Sequence, residues 1–115
     1  MLTKPSLEKR LRFLADTTTV LLSPVKNCYG LTRFHRGTPM IVLSPTNPET
    51  GEPTTPETRL VTLLHELIHI ALPNELAAFG VFEEPIILDV LEKAMMDYIC
   101  SKPAKLRWWL QRLPS

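Results

Sequence analysis

No apolar run in this 115-residue chain approaches the roughly 20 residues that a membrane-spanning helix requires, so no membrane role is expected. The opening residues, Met1, Leu2, Thr3, Lys4 and Pro5, lack the apolar stretch of a secretion signal. The expectation is an intracellular, cytoplasmic protein. Cysteine is scarce: Cys28 and Cys100 cannot form a dense disulfide framework, and neither has the CxxC spacing of a metal knuckle or redox pair. Both read as small core residues. Internal repeats are missing, and so is any charge excess, with 13 Lys and Arg against 12 Asp and Glu.

What is present is an ordinary globular composition, 44% hydrophobic and 22% charged, at the length of one compact domain spanning 1–115. The near-neutral charge conceals a division along the chain. Residues 1–48 carry seven Lys or Arg against two acids, residues 49–97 carry two against ten, and residues 98–115 carry four against none. An acidic middle between basic ends suits a site that holds a cation better than a continuous phosphate-binding surface.

Proline and glycine set the boundaries. Pro45, Pro48, Pro53 and Pro56 fall within Ser44 to Thr58, which lacks apolar period and reads as a long surface loop. Ahead of it, Ser6 to Ala15 carries Leu7, Leu11 and Leu14 at helical spacing, with Ser6 as the expected cap and Glu8 and Arg12 as an i,i+4 pair. Thr17 to Leu22, Cys28 to His35 and Met40 to Leu43 read as two or three short antiparallel strands. Beyond the loop, Leu60, Leu64, Ile68 and Leu72 recur every four residues, predicting a buried helix from Pro56 or Glu57 to Leu72 that Pro73 closes. Pro85 opens a further helix to about Ile99, with Ile87, Val90, Leu91, Ala94, Met95 and Tyr98 as its apolar face. Ser101 is the expected cap of a last helix bearing Leu106, Trp109, Leu110 and Leu113. Its Lys102, Lys105, Arg107 and Arg112 interleave with Trp108 and Trp109, a composition open to nucleic acid but equally that of a helix packed on the body.

Within the leucine-rich helix stands His65-Glu66-Leu67-Ile68-His69. The i,i+4 interval puts both imidazoles on one face a turn apart, the bite two nitrogen ligands need to hold one Zn²⁺. Glu66 lies about 100° round the helix from His65, where it reaches a water on the metal more easily than the metal itself, the position of a general base. Two imidazoles and a carboxylate among Leu63, Leu64, Leu67, Ile68, Ile70 and Ala71 are costly to bury unless something binds them. The structural alternative is two core histidines bonded to neighbours, with Glu66 at the surface.

This stretch resembles the zincin metallopeptidases, with Thr62 and Leu63 before the five-residue core, uncharged Leu67 and Ile68 within it and Ile70 after it. The resemblance implies a minimal zincin-like α+β domain, a small antiparallel sheet plus three or four helices, with Met40 to Ser44 as the edge strand lining the substrate cleft. It implies His65 and His69 as zinc ligands and Glu66 as the catalytic base. No histidine follows His69, so the third-His extension of the metzincins is missing. Glu83-Glu84-Pro85 instead resembles the gluzincin arrangement, in which a Glu on the following helix completes the site, and the short interval is similar to that of small zincins of phage and prophage genomes. Either Glu83 or Glu84 fits that role, and Glu84 is favoured for its place three residues before Ile87.

The resemblance implies hydrolysis of peptide bonds in a peptide or protein substrate by a zinc-bound water that Glu66 deprotonates. Tyr98, Tyr29 and His35 are the candidates for steadying the oxyanion. Two rival readings stay open: a catalytically inert zinc-binding or interaction module, and a nucleic-acid-associated protein using its basic termini.

Overall fold

A computed structural model describes residues 3–114. The fold is α+β: five helices around a small three-stranded sheet. The first helix, α1 (Lys4–Thr17), starts on a capping box in which the Thr3 hydroxyl accepts from the Ser6 backbone at 3.2 Å and the Ser6 hydroxyl accepts from that of Thr3 at 2.9 Å. The cap is therefore Thr3, three residues ahead of the expected Ser6, because Pro5 fits the first turn.

Strands β1 (Thr19–Leu22), β2 (Gly30–His35) and β3 (Thr38–Leu43) are arranged in the order β1-β3-β2. Between β2 and β3 the chain turns through Arg36 and Gly37, with φ of 52° and 82°, the doubly positive geometry that matches the twist of an antiparallel hairpin. Two sheet expectations are corrected. The sheet is mixed, since β1 runs parallel to β3 with Thr19 opposite Met40 and Leu22 opposite Leu43. The segment expected at the edge is central: β3 carries Ile41, Val42 and Leu43, all buried, and a strand so apolar is best covered with neighbours on both sides. The outer strand beside the helices that matter below is β2.

Ser44 to Thr55 is a loop as expected, tied down by its own polar groups: the Arg59 guanidinium donates to Thr54 Oγ1 at 2.8 Å, and Ser44 Oγ donates to the Thr46 carbonyl at 2.8 Å. Thr55 then caps α2 (Pro56–Ala71), its hydroxyl accepting from the Thr58 backbone at 3.1 Å. Leu60, Leu63, Leu64, Leu67 and Ile68 of α2 are fully buried and pack with Ile41 and Leu43 of the sheet and Leu7 and Leu11 of α1. Burial is one-sided, however; the side chains of His65 and His69 stay 38% exposed at the rim. Pro73 ends α2 and opens a short turn of helix, α3 (Pro73–Ala77), which sequence reading did not anticipate.

Helix α4 (Glu84–Cys100) covers the core through Leu88, Met95 and Ile99, while Val90, expected on the inner face, is exposed. The last helix, α5 (Pro103–Leu110), has Lys102 at its cap position rather than the expected Ser101. It buries Trp109 and lies along α1 through a polar seam. Glu8, only 2% exposed, accepts from Lys105 Nζ and Trp109 Nε1, each at 3.0 Å, and Arg12 stands 3.5 Å away as the expected i,i+4 partner. Further along, Arg112 donates to Asp16 at 2.9 Å, and the guanidiniums of Arg12 and Arg112 lie over the Trp108 ring. The two cysteines are unpaired, and neither is a core residue: Cys28 is half-buried and Cys100 exposed. Among the described residues, no helix is long and apolar enough to cross a membrane.

Candidate functional site

Because the leucines of α2 face the sheet, positions 65 and 69 are turned toward α4, and their rings meet edge to face with centroids 4.9 Å apart. Two carboxylates of α4 stand against them. Glu92 Oε1 accepts a hydrogen bond from His65 Nδ1, and Glu84 Oε1 lies 3.8 Å from His69 Nδ1. At 100° per residue Glu84, Leu88, Glu92, Met95 and Ile99 span about 80° of the helix, so the burial of Leu88, Met95 and Ile99 aims both carboxylates at α2. The Glu92 side chain is 13% exposed and that of Glu84 34%.

Glu66 points the other way, toward the sheet. It is 9% exposed and accepts a hydrogen bond of 2.6 Å from the Thr32 hydroxyl of β2. A surface Glu66, the structural alternative considered from sequence, is thereby ruled out. Two clefts open over these residues and share His65 as a wall. One, of about 300 Å³, is lined by Cys28, Tyr29, Gly30, Glu66 and Glu92; the other, of about 290 Å³, by His69, Val81, Glu84, Leu88 and Asp89. A larger cavity of about 520 Å³ between α1, α3 and α4 carries Arg10, Glu75 and Phe79 but no imidazole, and lies apart from this chemistry.

Electrostatics follow from the acids. Every Lys or Arg ion pair among the described residues falls on Glu8 or Asp16, and the ion pairs of Glu84 and Glu92 are those with the two imidazoles. The hydrogen bond to Glu92 holds the His65 imidazolium above its usual 6.5, against the pull of burial, and the charges of Glu92, Glu66 and Asp89 add to the rise.

Among the described residues, no group of three or more His, Cys, Asp or Glu side chains is arranged so as to hold a metal ion. The contacts are pairwise, His65 with Glu92 and His69 with Glu84. The donor types nonetheless are those zinc takes, two imidazoles with carboxylates opposite them.

Of the residues singled out from sequence, His65, Glu66, His69 and Glu84 are brought together. Glu83 is not, for it precedes α4 and folds its carboxylate back over Gly80. Tyr29 lines the Glu66 cleft, whereas Tyr98 lies near Lys102 and Lys105 toward the far end of α4, and His35 sits beside Arg36 at the end of β2. Sequence reading missed Glu92 and Thr32. The stripe formed by Leu88, Met95 and Ile99 carries the signal for Glu92; nothing local in the sequence points to Thr32, whose partner is 34 residues away. Compared with known proteins, the chain gives no significant match to a family model, a curated protein or a solved structure.

Proposed function

We propose that the chain is a zinc-dependent peptidase of the zincin kind, with His65, His69 and a carboxylate of α4 as the metal donors and Glu66 as the general base. The single observation that carries this reading is the meeting of two imidazoles of α2 with two carboxylates of α4, His65 with Glu92 and His69 with Glu84, while Glu66 stands beside His65 on the sheet side. A carboxylate as sheltered as Glu92 is costly without a positive partner. Zinc, when bound, supplies Lewis acidity that polarises a substrate carbonyl and brings the pKa of a water to about 7.

The chain's own residues do the rest. His65 and His69 offer nitrogens on one face, and Glu92 is the third donor on the grounds of its burial and its place against His65. Glu66 does not share their face; buried against β2, it is free of the donor set and available to take a proton from a water in the cleft and return it to the leaving amine. Of the basic ends, Lys105, Arg12 and Arg112 are engaged in the seam between α1 and α5, which leaves fewer charges for the alternative reading of nucleic-acid binding.

Purified protein is expected to carry one zinc per chain, to lose it in His65→Ala, and to cleave labelled β-casein. Glu66→Gln should keep the metal and lose cleavage. Equal cleavage by Glu66→Gln and wild type overturns the mechanism; zinc held without any cleavage leaves an inert binding module; absence of zinc overturns the whole reading.

A further inference from the structure

We infer that Thr32 is a positioning residue for Glu66: its hydroxyl holds one carboxylate oxygen, so that the other is the one presented to the cleft. The inference rests on the peptidase reading and deepens it. The bond from Thr32 Oγ1 to Glu66 Oε2, at 2.6 Å, lies in the short range of hydroxyl-to-carboxylate hydrogen bonds. Among the described residues no hydrogen bond reaches Glu66 Oε1, yet no buried side-chain oxygen or nitrogen lacks a partner. Oε1 therefore emerges at the surface of the cleft that Glu66 shares with His65 and Tyr29. The two oxygens have different surroundings and hence different work: Oε2 is fixed, and Oε1 is open to accept a proton.

The backbone is arranged to keep it so. Two residues of strand rise about 6.6 Å and four residues of helix about 6 Å, so a strand lying along a helix meets it in repeating rungs. Here the rungs are Gly30 against Thr62 and Thr32 against Glu66. A Cβ at Gly30 would stand 2.6 Å from Thr62 Cγ2 and 3.0 Å from the Val42 carbonyl oxygen, so only glycine lets β2 approach α2 this closely. Thr32 lies on the same face of the strand two residues on, and its branched Cβ restricts χ1, which limits where the hydroxyl can go. A base held in this way loses less of its rate to misalignment than one free to rotate.

The test compares wild type with Thr32→Val, which keeps the shape and removes the hydroxyl, and Thr32→Ser, which keeps the hydroxyl. Thr32→Val is expected to lower kcat on labelled β-casein at least ten-fold with apparent KM and zinc content within two-fold of wild type, and Thr32→Ser to recover kcat to within three-fold. A second readout needs no activity: in zinc-free protein, a double-mutant cycle between Thr32→Val and Glu66→Ala in urea should show about ten-fold coupling in the unfolding constant, the scale of a hydrogen bond to a charged group. Coupling without any change in kcat makes the bond merely structural and overturns the inference while leaving the peptidase reading intact. Absence of coupling overturns it as well. A wild type that cleaves nothing, whatever the cycle shows, removes the peptidase reading and this inference together.

Discussion

Glu92 and Glu84 belong to the same face of α4 and each meets one imidazole, yet they differ in the water they see: the Glu92 side chain is 13% exposed, that of Glu84 34%. The more sheltered group has more to gain from a cation, because less solvent is left to screen its charge. Glu92→Gln is therefore expected to weaken zinc binding by about 100-fold or more, whereas Glu84→Gln, acting only through the orientation of His69, should cost about ten-fold. Competition with a chromophoric chelator reads both constants, and the reverse order would make Glu84 the ligand. Glu92 also sets the proton affinity of its neighbour. Its hydrogen bond to His65 raises the imidazole pKa, so in zinc-free protein the pair contributes stability that is fully present below pH 6.5, the unfolded value, and is lost as the pH rises through the higher folded value. Urea midpoints of zinc-free protein should fall over that interval, and Glu92→Gln should flatten the slope; an unchanged slope in the variant would remove Glu92 as its cause.

Among the elements, α2 was legible in the sequence and α4 only half so, for a physical reason. Leu60, Leu64 and Ile68 recur at one helical interval between Pro56 and Pro73, which leaves one amphipathic solution, and the structure has that helix from Pro56 to Ala71. Helix α4 is apolar on several sides. Ile86 and Val90 are as hydrophobic as Leu88 and Met95 but face water, so the apolar pattern points about a quarter turn from the buried stripe and hides Glu92. The order of the strands was out of reach because it depends on which strand most needs two neighbours, a choice made by the packing of α2 on Ile41 and Leu43. His65, Glu66 and His69, three residues within five positions of one helix, could be placed from spacing alone; Thr32 and Glu92 reach them from other elements and could not. The seam between α1 and α5 tests how elements are held. Glu8→Ala leaves the buried indole N–H of Trp109 and the Lys105 ammonium without their acceptor, and should destabilise the protein by about 1–3 kcal/mol in urea unfolding. Glu8→Gln, which keeps an acceptor, should cost less; an Ala variant as stable as wild type would mean that α5 is held by its apolar contacts alone.

At the scale of the whole molecule, the division of charge seen along the sequence becomes a division in space. Arg12, Lys105 and Arg112 of the basic ends meet in the α1–α5 seam, where Glu8 and Asp16 pair with them, and Glu84 and Glu92 of the acidic middle stand against the imidazoles of α2. A protein built this way should be stabilised by a divalent ion far more than by salt. Binding at a thousand times its dissociation constant adds about 4 kcal/mol to the folded state. For a domain of this size that is a rise in Tm of roughly 15–30 °C, taking about 4–8 °C per kcal/mol. The increment should itself depend on pH, and with the opposite sign to the zinc-free protein. At the proposed site zinc would compete with the proton on His65, so raising the pH past the folded pKa of His65 should weaken the zinc-free fold while strengthening the hold on the metal. Thermal melts below pH 6.5 and at successively higher pH, with chelator and with zinc, should therefore diverge: the chelated Tm falls, and the gap opened by zinc widens. A gap that stays constant across that range would mean that zinc does not displace a proton from His65, and the ion would have to be sought elsewhere on the chain.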